Sequence, residues 1–217
     1  MRIKHHYGSA LTTGALLLCC LPAGSAVGRT QLLGGLLPSP TSGAGAVTGQ
    51  AAAAQVTLLG LLGTATSASL ASTGISSTNA ESDLGQAGGS ILSVLSAEVP
   101  TSATYSYANQ VDSAASLGNL ALTVAGVTVA ADSVVAEASQ VLGAAGTGTS
   151  YIGNLTVNGI PIAVTGAPNQ TIPVAGGQLV LNEQTVSSSG AAVVNALHMT
   201  INGVADVVVG SATAAIS

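Results

Sequence analysis

One short pattern, repeated four times, limits what this chain can fold into: Thr, aliphatic, any residue, Gly, aliphatic. It is read at Thr57-Leu58-Leu59-Gly60-Leu61, Thr123-Val124-Ala125-Gly126-Val127, Thr156-Val157-Asn158-Gly159-Ile160 and Thr200-Ile201-Asn202-Gly203-Val204. In the last two copies the centre is Asn-Gly, a pair that accepts positive φ and so fits the type I′ turn between antiparallel strands. Alternation flanks one of these turns: Leu155 and Val157 precede it, and Ile160, Ile162 and Val164 follow it at the two-residue spacing of one strand face. Short β-branched runs divided by Gly and Asn are the pattern of an antiparallel β fold.

The rest of the chain extends that reading. Thr171-Ile172-Pro173-Val174 and Gln178-Leu179-Val180-Leu181 flank Ala175-Gly176-Gly177, which predicts a second hairpin. Pro173 and Pro161 belong at strand starts or sheet edges, because neither can donate to a ladder. Residues 130–145 are the best helix candidate by propensity. Ser133-Val134-Val135 and the closing Gly143–Gly148 run make them at least as good a strand. The expectation is an all-β, antiparallel β-sandwich-like domain over residues 27–217, after an N-terminal signal peptide. Within it, residues 27–55 are expected to be partly loop-like and of low complexity, with an edge strand near Leu32–Leu37 and a loop at Pro38–Gly43.

A domain of this size can bury a core, but this core has unusual material. The chain has no Phe and no Trp, so burial falls to Val, Ile, Leu and Ala. Small residues suit closely approaching backbones and tightly spaced sheets. Disorder is excluded, since it requires low hydrophobicity and high charge. Here the mean hydropathy is +0.61 and 5% of residues are charged.

The N-terminus reads as an export signal. Arg2, Lys4, His5 and His6 form a basic start, residues 10–21 an apolar stretch, and Pro22 to Ala26 a small-residue cleavage region. Cleavage is expected after Ala26. The alternatives are an uncleaved anchor, for which the apolar stretch is short of the roughly 20 residues a bilayer requires, and acylation at Cys19 or Cys20. The residues before those cysteines are Leu18 and Cys19, where a small residue is expected.

Cleavage would remove both cysteines and two of the three basic residues. The remainder could form no disulfide and no thiolate zinc site. Arg29 alone would stand against eight acids, a formal charge of −7. Such a chain is not expected to bind nucleic acid or anionic membranes, both of which are recognised through Lys and Arg. No transmembrane segment is expected in the mature chain.

Candidate functional residues are few. His198 is the one imidazole beyond the signal, and any histidine mechanism would use it with Glu183, Asp206 or Asp132. No Gly-x-Ser-x-Gly elbow accompanies it, so no catalytic residue is assigned and His198 is read as a polar strand residue. Glu98, Asp132 and Asp206 recur after alanine and before β-branched residues. They are weak candidates for a hard cation such as Ca²⁺, and solvated strand ends explain them more simply. Asn169, Gln170, Asn182, Glu183, Gln184, Asn195 and His198 form a polar set that would brace loops or bind sugar hydroxyls. No cofactor is expected.

With those segments in hand, the chain resembles the choice-of-anchor P family of bacterial exported proteins. The resemblance is carried by Leu32-Leu33-Gly34-Gly35-Leu36, by Asn119-Leu120-Ala121-Leu122 through Ala131-Asp132, and by an ordered series in the C-terminal third. That series runs Leu155-Thr156-Val157-Asn158-Gly159, Gly166-Ala167-Pro168-Asn169-Gln170-Thr171, Leu181-Asn182-Glu183-Gln184, Val194-Asn195-Ala196-Leu197-His198 and Ala205-Asp206-Val207-Val208-Val209. The resemblance implies a location outside the cytoplasm and no established biochemical role. A sortase-type anchor motif does not follow, and residues 210–217 fit a strand better than an anchor.

The expected function is a structural or interaction module of the bacterial surface or extracellular space. Its expected partners are cell-wall or surface components, or further copies of itself. A carbohydrate-binding or adhesin-type module using Tyr105, Tyr107 and the Asn/Gln set is the alternative. A hydrolase centred on His198 and Glu183 is a third reading.

Overall fold

The computed structural model describes residues 46–60, 64–77 and 80–217; the signal-peptide reading and residues 27–45 lie outside them. Among the described residues, fourteen strands form in chain order. They are β1 (Val47–Leu59), β2 (Ala65–Ser72), β3 (Ala80–Gly85), β4 (Gly88–Ile91), β5 (Leu95–Ser106), β6 (Gln110–Val124) and β7 (Val127–Val141). The remainder are β8 (Thr147–Gly153), β9 (Thr156–Val157), β10 (Ile160–Pro161), β11 (Gln170–Val174), β12 (Gly177–Val186), β13 (Ala192–Ile201) and β14 (Ala205–Ile216).

Two antiparallel sheets pack face to face. One has six strands in the order β11-β12-β13-β14-β1-β2; the other has eight, in the order β10-β9-β7-β6-β5-β3, with β4 on β5 and β8 on β7. The domain is an all-β sandwich, as the hairpin pattern predicts, and residues 130–141 are strand. No helix long and apolar enough to cross a membrane occurs among the described residues.

Local turn chemistry explains the hairpins. Asn158-Gly159 (φ 50° and 75°) and Ala125-Gly126 (φ 49° and 80°) both form two-residue turns with two positive φ values, the type I′ signature. Pro161 and Pro173 fall on the edge strands β10 and β11. Two copies of the pattern behave otherwise. Ile201 pairs with Ala205, so Asn202, Gly203 and Val204 make a three-residue loop; Val204 N donates to Ile201 O (3.0 Å), and Gly203, at φ 69°, takes the third position of a type II turn. Leu59 pairs with Ala65, which puts Gly60 in a wider connection.

The loop-like reading of residues 27–55 is corrected from Val47 onward. Val47–Leu59 is an interior strand between β14 and β2, and Ala51 to Ala54 are all buried. Alanine is what this position admits, because the sheets approach closely here: a Cβ on nearby Gly49 would collide with Thr104 Cγ2, and one on Gly148 with Val194.

Midway along the sandwich the strands change which residues face inward. In β6 the buried positions are Val111, Ser113, Ala115 and Leu117, then Leu120, Leu122 and Val124; in β7 they are Val127, Val129 and Ala131, then Val134, Ala136, Ala138 and Gln140. A strand shows one residue in two to each face, so a single residue in a non-extended conformation shifts the phase. Those residues align across the sheets: Val99, Asn119 and Asn154 in one, and Asn182, Gly210 and Ala71 in the other, all have positive φ.

This line divides the interior into two storeys. One is built of large side chains such as Leu95, Leu122, Leu179, Leu181, Leu197 and Met199. The other sets small or polar ones, including Ala115, Ala212, Ala214, Ser102, Thr104 and Ser113, beside Val111, Leu117 and Val134. Hydrogen bonds between sheets join the second storey: Ser113 Oγ donates to Thr213 O (2.7 Å), Ser150 Oγ to Asn182 Oδ1 (2.9 Å) and Gly146 N to Gly190 O (2.7 Å).

Candidate functional site

Two regions concentrate the side chains that carry chemistry. The first lies on the outer face of the six-stranded sheet, where β12, β13 and β14 bring Glu183, Asn195, His198, Asp206 and Ser211 into one hydrogen-bonded string. Register makes it: Glu183 opposes Asn195, Asn195 opposes Ser211, and Asp206 opposes Thr200 two positions from His198. Ser211 Oγ donates to Asn195 Oδ1 (2.8 Å), and Asn195 Nδ2 donates to Glu183 Oε2 (2.6 Å). His198 then meets Glu183 Oε2 through Nδ1 (2.9 Å) and Asp206 Oδ2 through Nε2 (3.0 Å).

Both ring nitrogens face carboxylates, and only the imidazolium can donate at both. Burial by itself would lower the pKa of His198. The hydrogen bond to Asp206, the charges of Glu183 and Asp206, and the hydrogen bond to Glu183 outweigh it, and the pKa is raised above 6.5. In the imidazolium form, which this setting favours, the ring has no lone pair to take a proton from a nucleophile. The nearest hydroxyl of the string, Ser211, donates to Asn195 instead.

The rest of the polar set braces a loop. Asn182 Nδ2 donates to Gly166 O (2.9 Å), and its Oδ1 accepts from Gln184 Nε2 (2.8 Å) as well as Ser150. Asn169 Oδ1 accepts from Gln184 N (3.0 Å). Gln170 Oε1 accepts from Thr165 N and Thr165 Oγ1 (both 2.8 Å), while its Nε2 donates to Ala163 O (2.8 Å). These side chains hold residues 163–169 against β11 and β12.

Glu98, Asp132 and Asp206 do not converge. Asp206 belongs to the histidine string, and the other two lie on the eight-stranded sheet. Neither is a strand end, which corrects that expectation. Each lies in mid-strand at the line of reversal, where it accepts from a left-handed asparagine: Asn119 Nδ2 donates to Glu98 Oε2 and Asn154 Nδ2 to Asp132 Oδ2, both at 2.6 Å. Their recurrence in the sequence marks this structural joint. Among the described residues, no group of three or more His, Cys, Asp or Glu side chains is arranged to hold a metal ion.

The second region is a trough on the outer face of the eight-stranded sheet, which the sequence did not suggest beyond Tyr105. Register stacks two rows across it. Glu81, Tyr105, Asp112, Ser139 and Thr147 form one; Asp83, Ala103, Ala114, Glu137 and Thr149 form the next. The short side chains of Ala103 and Ala114 leave a floor between taller walls. Two cavities result, of about 370 and 450 Å³, meeting at Ala114 and Glu137. Tyr105 lines the first and Asp83 the second. The alternative of a joint site for the tyrosines and the Asn/Gln set is thereby corrected: Tyr105 lies on the outer face of one sheet, whereas the polar set belongs to the other, with Asn182 buried between the two.

No family model matches the chain, and no curated protein or solved structure matches it.

Proposed function

We propose that this chain is an exported bacterial protein, of the kind the choice-of-anchor P resemblance implies, serving as a structural or interaction module at the cell surface or in the extracellular space. The observation that supports this reading most is how the polar side chains are used. His198, Glu183, Asn195, Asn182, Gln184 and Gln170 are all committed to bonds within the sandwich, which favours a rigid scaffold over a reactive centre. The N-terminal signal, with cleavage near Ala26, supplies the export.

Fractionation of the native cell with mass spectrometry of the mature N-terminus tests it. A chain beginning near Val27 and found in the surface or medium fraction is the expected result. Full-length protein confined to the cytoplasm would overturn it.

A second reading, a carbohydrate-binding or adhesin-type module, is favoured by the trough. Its tyrosine wall, alanine floor and bordering hydroxyls match the mixed apolar and polar faces of a saccharide.

A further inference from the structure

We propose that the trough on the eight-stranded sheet binds an amine-bearing oligosaccharide, with Asp83 and Glu137 on either side of its floor taking the ammonium groups. The proposal rests on the saccharide reading and names the class of sugar.

The shape is set by register. Ala103 and Ala114, paired on β5 and β6, give a floor with no side chain beyond Cβ. Tyr105 and Asp112, also directly paired, rise beside it, and Thr101 and Ser116, joined by a 2.7 Å hydroxyl contact, border the other side. Asp83 on β3 and Glu137 on β7 flank the alanine floor along the row, with Thr149 of β8 beyond Glu137. The two carboxylates lie three strand spacings apart, ~14 Å at about 4.8 Å each, so the opening is elongated along the row.

The charge is set by composition. Residues 46–217 contain no Lys and no Arg, and His198 is on the other sheet. The trough carboxylates therefore meet no cationic side chain among the described residues. A neutral sugar laid over Asp83 and Glu137 offers them hydroxyl hydrogen bonds but leaves both charges uncompensated as water is displaced, which is costly. An ammonium group turns the same burial into charge-assisted hydrogen bonds, and the Tyr105 ring offers a face to a cation or to sugar C–H groups. The acidic field of the sheet draws such a ligand in.

A basic peptide fits less well. Extended peptides bind a sheet by adding to a free edge through backbone bonds, and this trough lies on a face whose backbone is already paired across β3, β5, β6, β7 and β8.

Calorimetric titration of the mature chain with three probes at mildly acidic pH tests the proposal: a hexamer of β-1,4-linked glucosamine, its N-acetylated counterpart and hexalysine. The glucosamine hexamer is expected to bind at least tenfold more tightly than the other two, and more weakly as salt rises. Glu137→Gln with Asp83→Asn should remove most of that preference, and Tyr105→Ala should weaken the hexamer severalfold. Circular dichroism and thermal melting of the variants report that these outward-facing changes leave the fold intact. Equal binding of the two sugars would overturn the amine selectivity while leaving the saccharide reading in place. Binding of neither sugar would overturn both. Hexalysine binding as tightly as glucosamine, and unaffected by Tyr105→Ala, would also overturn the proposal.

Discussion

The side-chain amide of Gln140 grips the backbone of Ile216 at both of its polar groups: Ile216 N donates to Oε1 at 2.9 Å, and Nε2 donates to Ile216 O at 3.4 Å. Gln140 is on β7 in one sheet and Ile216 ends β14 in the other, so one side chain imitates a strand neighbour across the sandwich. Its Nε2 also reaches Ala144 O (3.2 Å) and Ser189 O (3.3 Å). With 2% of its surface exposed, Gln140 has no water to replace these partners.

Gln140→Leu preserves much of the volume and leaves Ile216 N–H and three carbonyls short of a partner. Each buried group left unpaired costs about 1–3 kcal/mol, and some of these lie near solvent. The expected loss is about 2–4 kcal/mol in urea unfolding. Gln140→Glu keeps the acceptor for Ile216 N–H but turns a buried carboxylate toward three carbonyl oxygens, and at neutral pH it should cost at least as much as the leucine variant. A loss under about 1 kcal/mol for the leucine variant would mean that water replaces the amide.

The line of phase reversal places two residues that are neither Gly nor Asn at positive φ, Ala71 and Val99, and the β-branched Val99 is the more strained. Val99 has φ 43°, a conformation that costs a residue bearing a Cβ about 1–2 kcal/mol and is rarest for β-branched side chains. Its side chain is 59% exposed, so little packing offsets the strain. Val99→Asn should stabilise the chain by about 1 kcal/mol in thermal unfolding, since Asn tolerates this region best after Gly. Asn119→Val, at φ 45°, should do the opposite and also release Glu98. A Val99→Asn variant that melts lower than the parent would rule out strain as the dominant effect there.

The same line explains which parts of the fold could be read in advance. The Asn158-Gly159 turn is local, and two residues suffice to specify it. The reversal is not local: Val99, Asn119 and Asn154 come into line only when β5, β6, β7 and β8 pair. In β7 it breaks the two-residue alternation after Ala131, which is why residues 130–145 show as much helix as strand character by pattern. Ala51 to Ala54 look like loop composition because the reason for their size, a neighbouring sheet at close range, is far away in sequence. Ala103 and Ala114 offer no chemical signal at all, and only their pairing turns them into a trough floor. His198, Glu183 and Asp206 were recognisable as a possible set because histidine is scarce, but their geometry depends on the register of three strands.

Ser102 gives a test of the small-residue storey. It is 2% exposed, and its Oγ has no hydrogen-bond partner. An unpaired buried hydroxyl is destabilising by about 1 kcal/mol or more. Ser102→Ala removes it without enlarging any neighbour, and stability should rise by about 1 kcal/mol in urea. A decrease would show that a water bonds the hydroxyl in solution.

His198 makes stability depend on pH in a defined direction. Its pKa in the fold is raised above 6.5, so folding binds protons wherever the folded ring is charged and the unfolded one is not. The contribution is complete below the unfolded value near 6.5 and is lost as pH rises through the folded value. His198→Gln should therefore lower the melting temperature most below the unfolded value of 6.5, and the gap to the parent should narrow as pH rises through the folded value. Imidazole NMR should place the His198 midpoint above 6.5 and move it down in Asp206→Asn, where the largest favourable partner is lost. A midpoint at or below the ordinary histidine value would mean that burial, which opposes the two carboxylates, outweighs them.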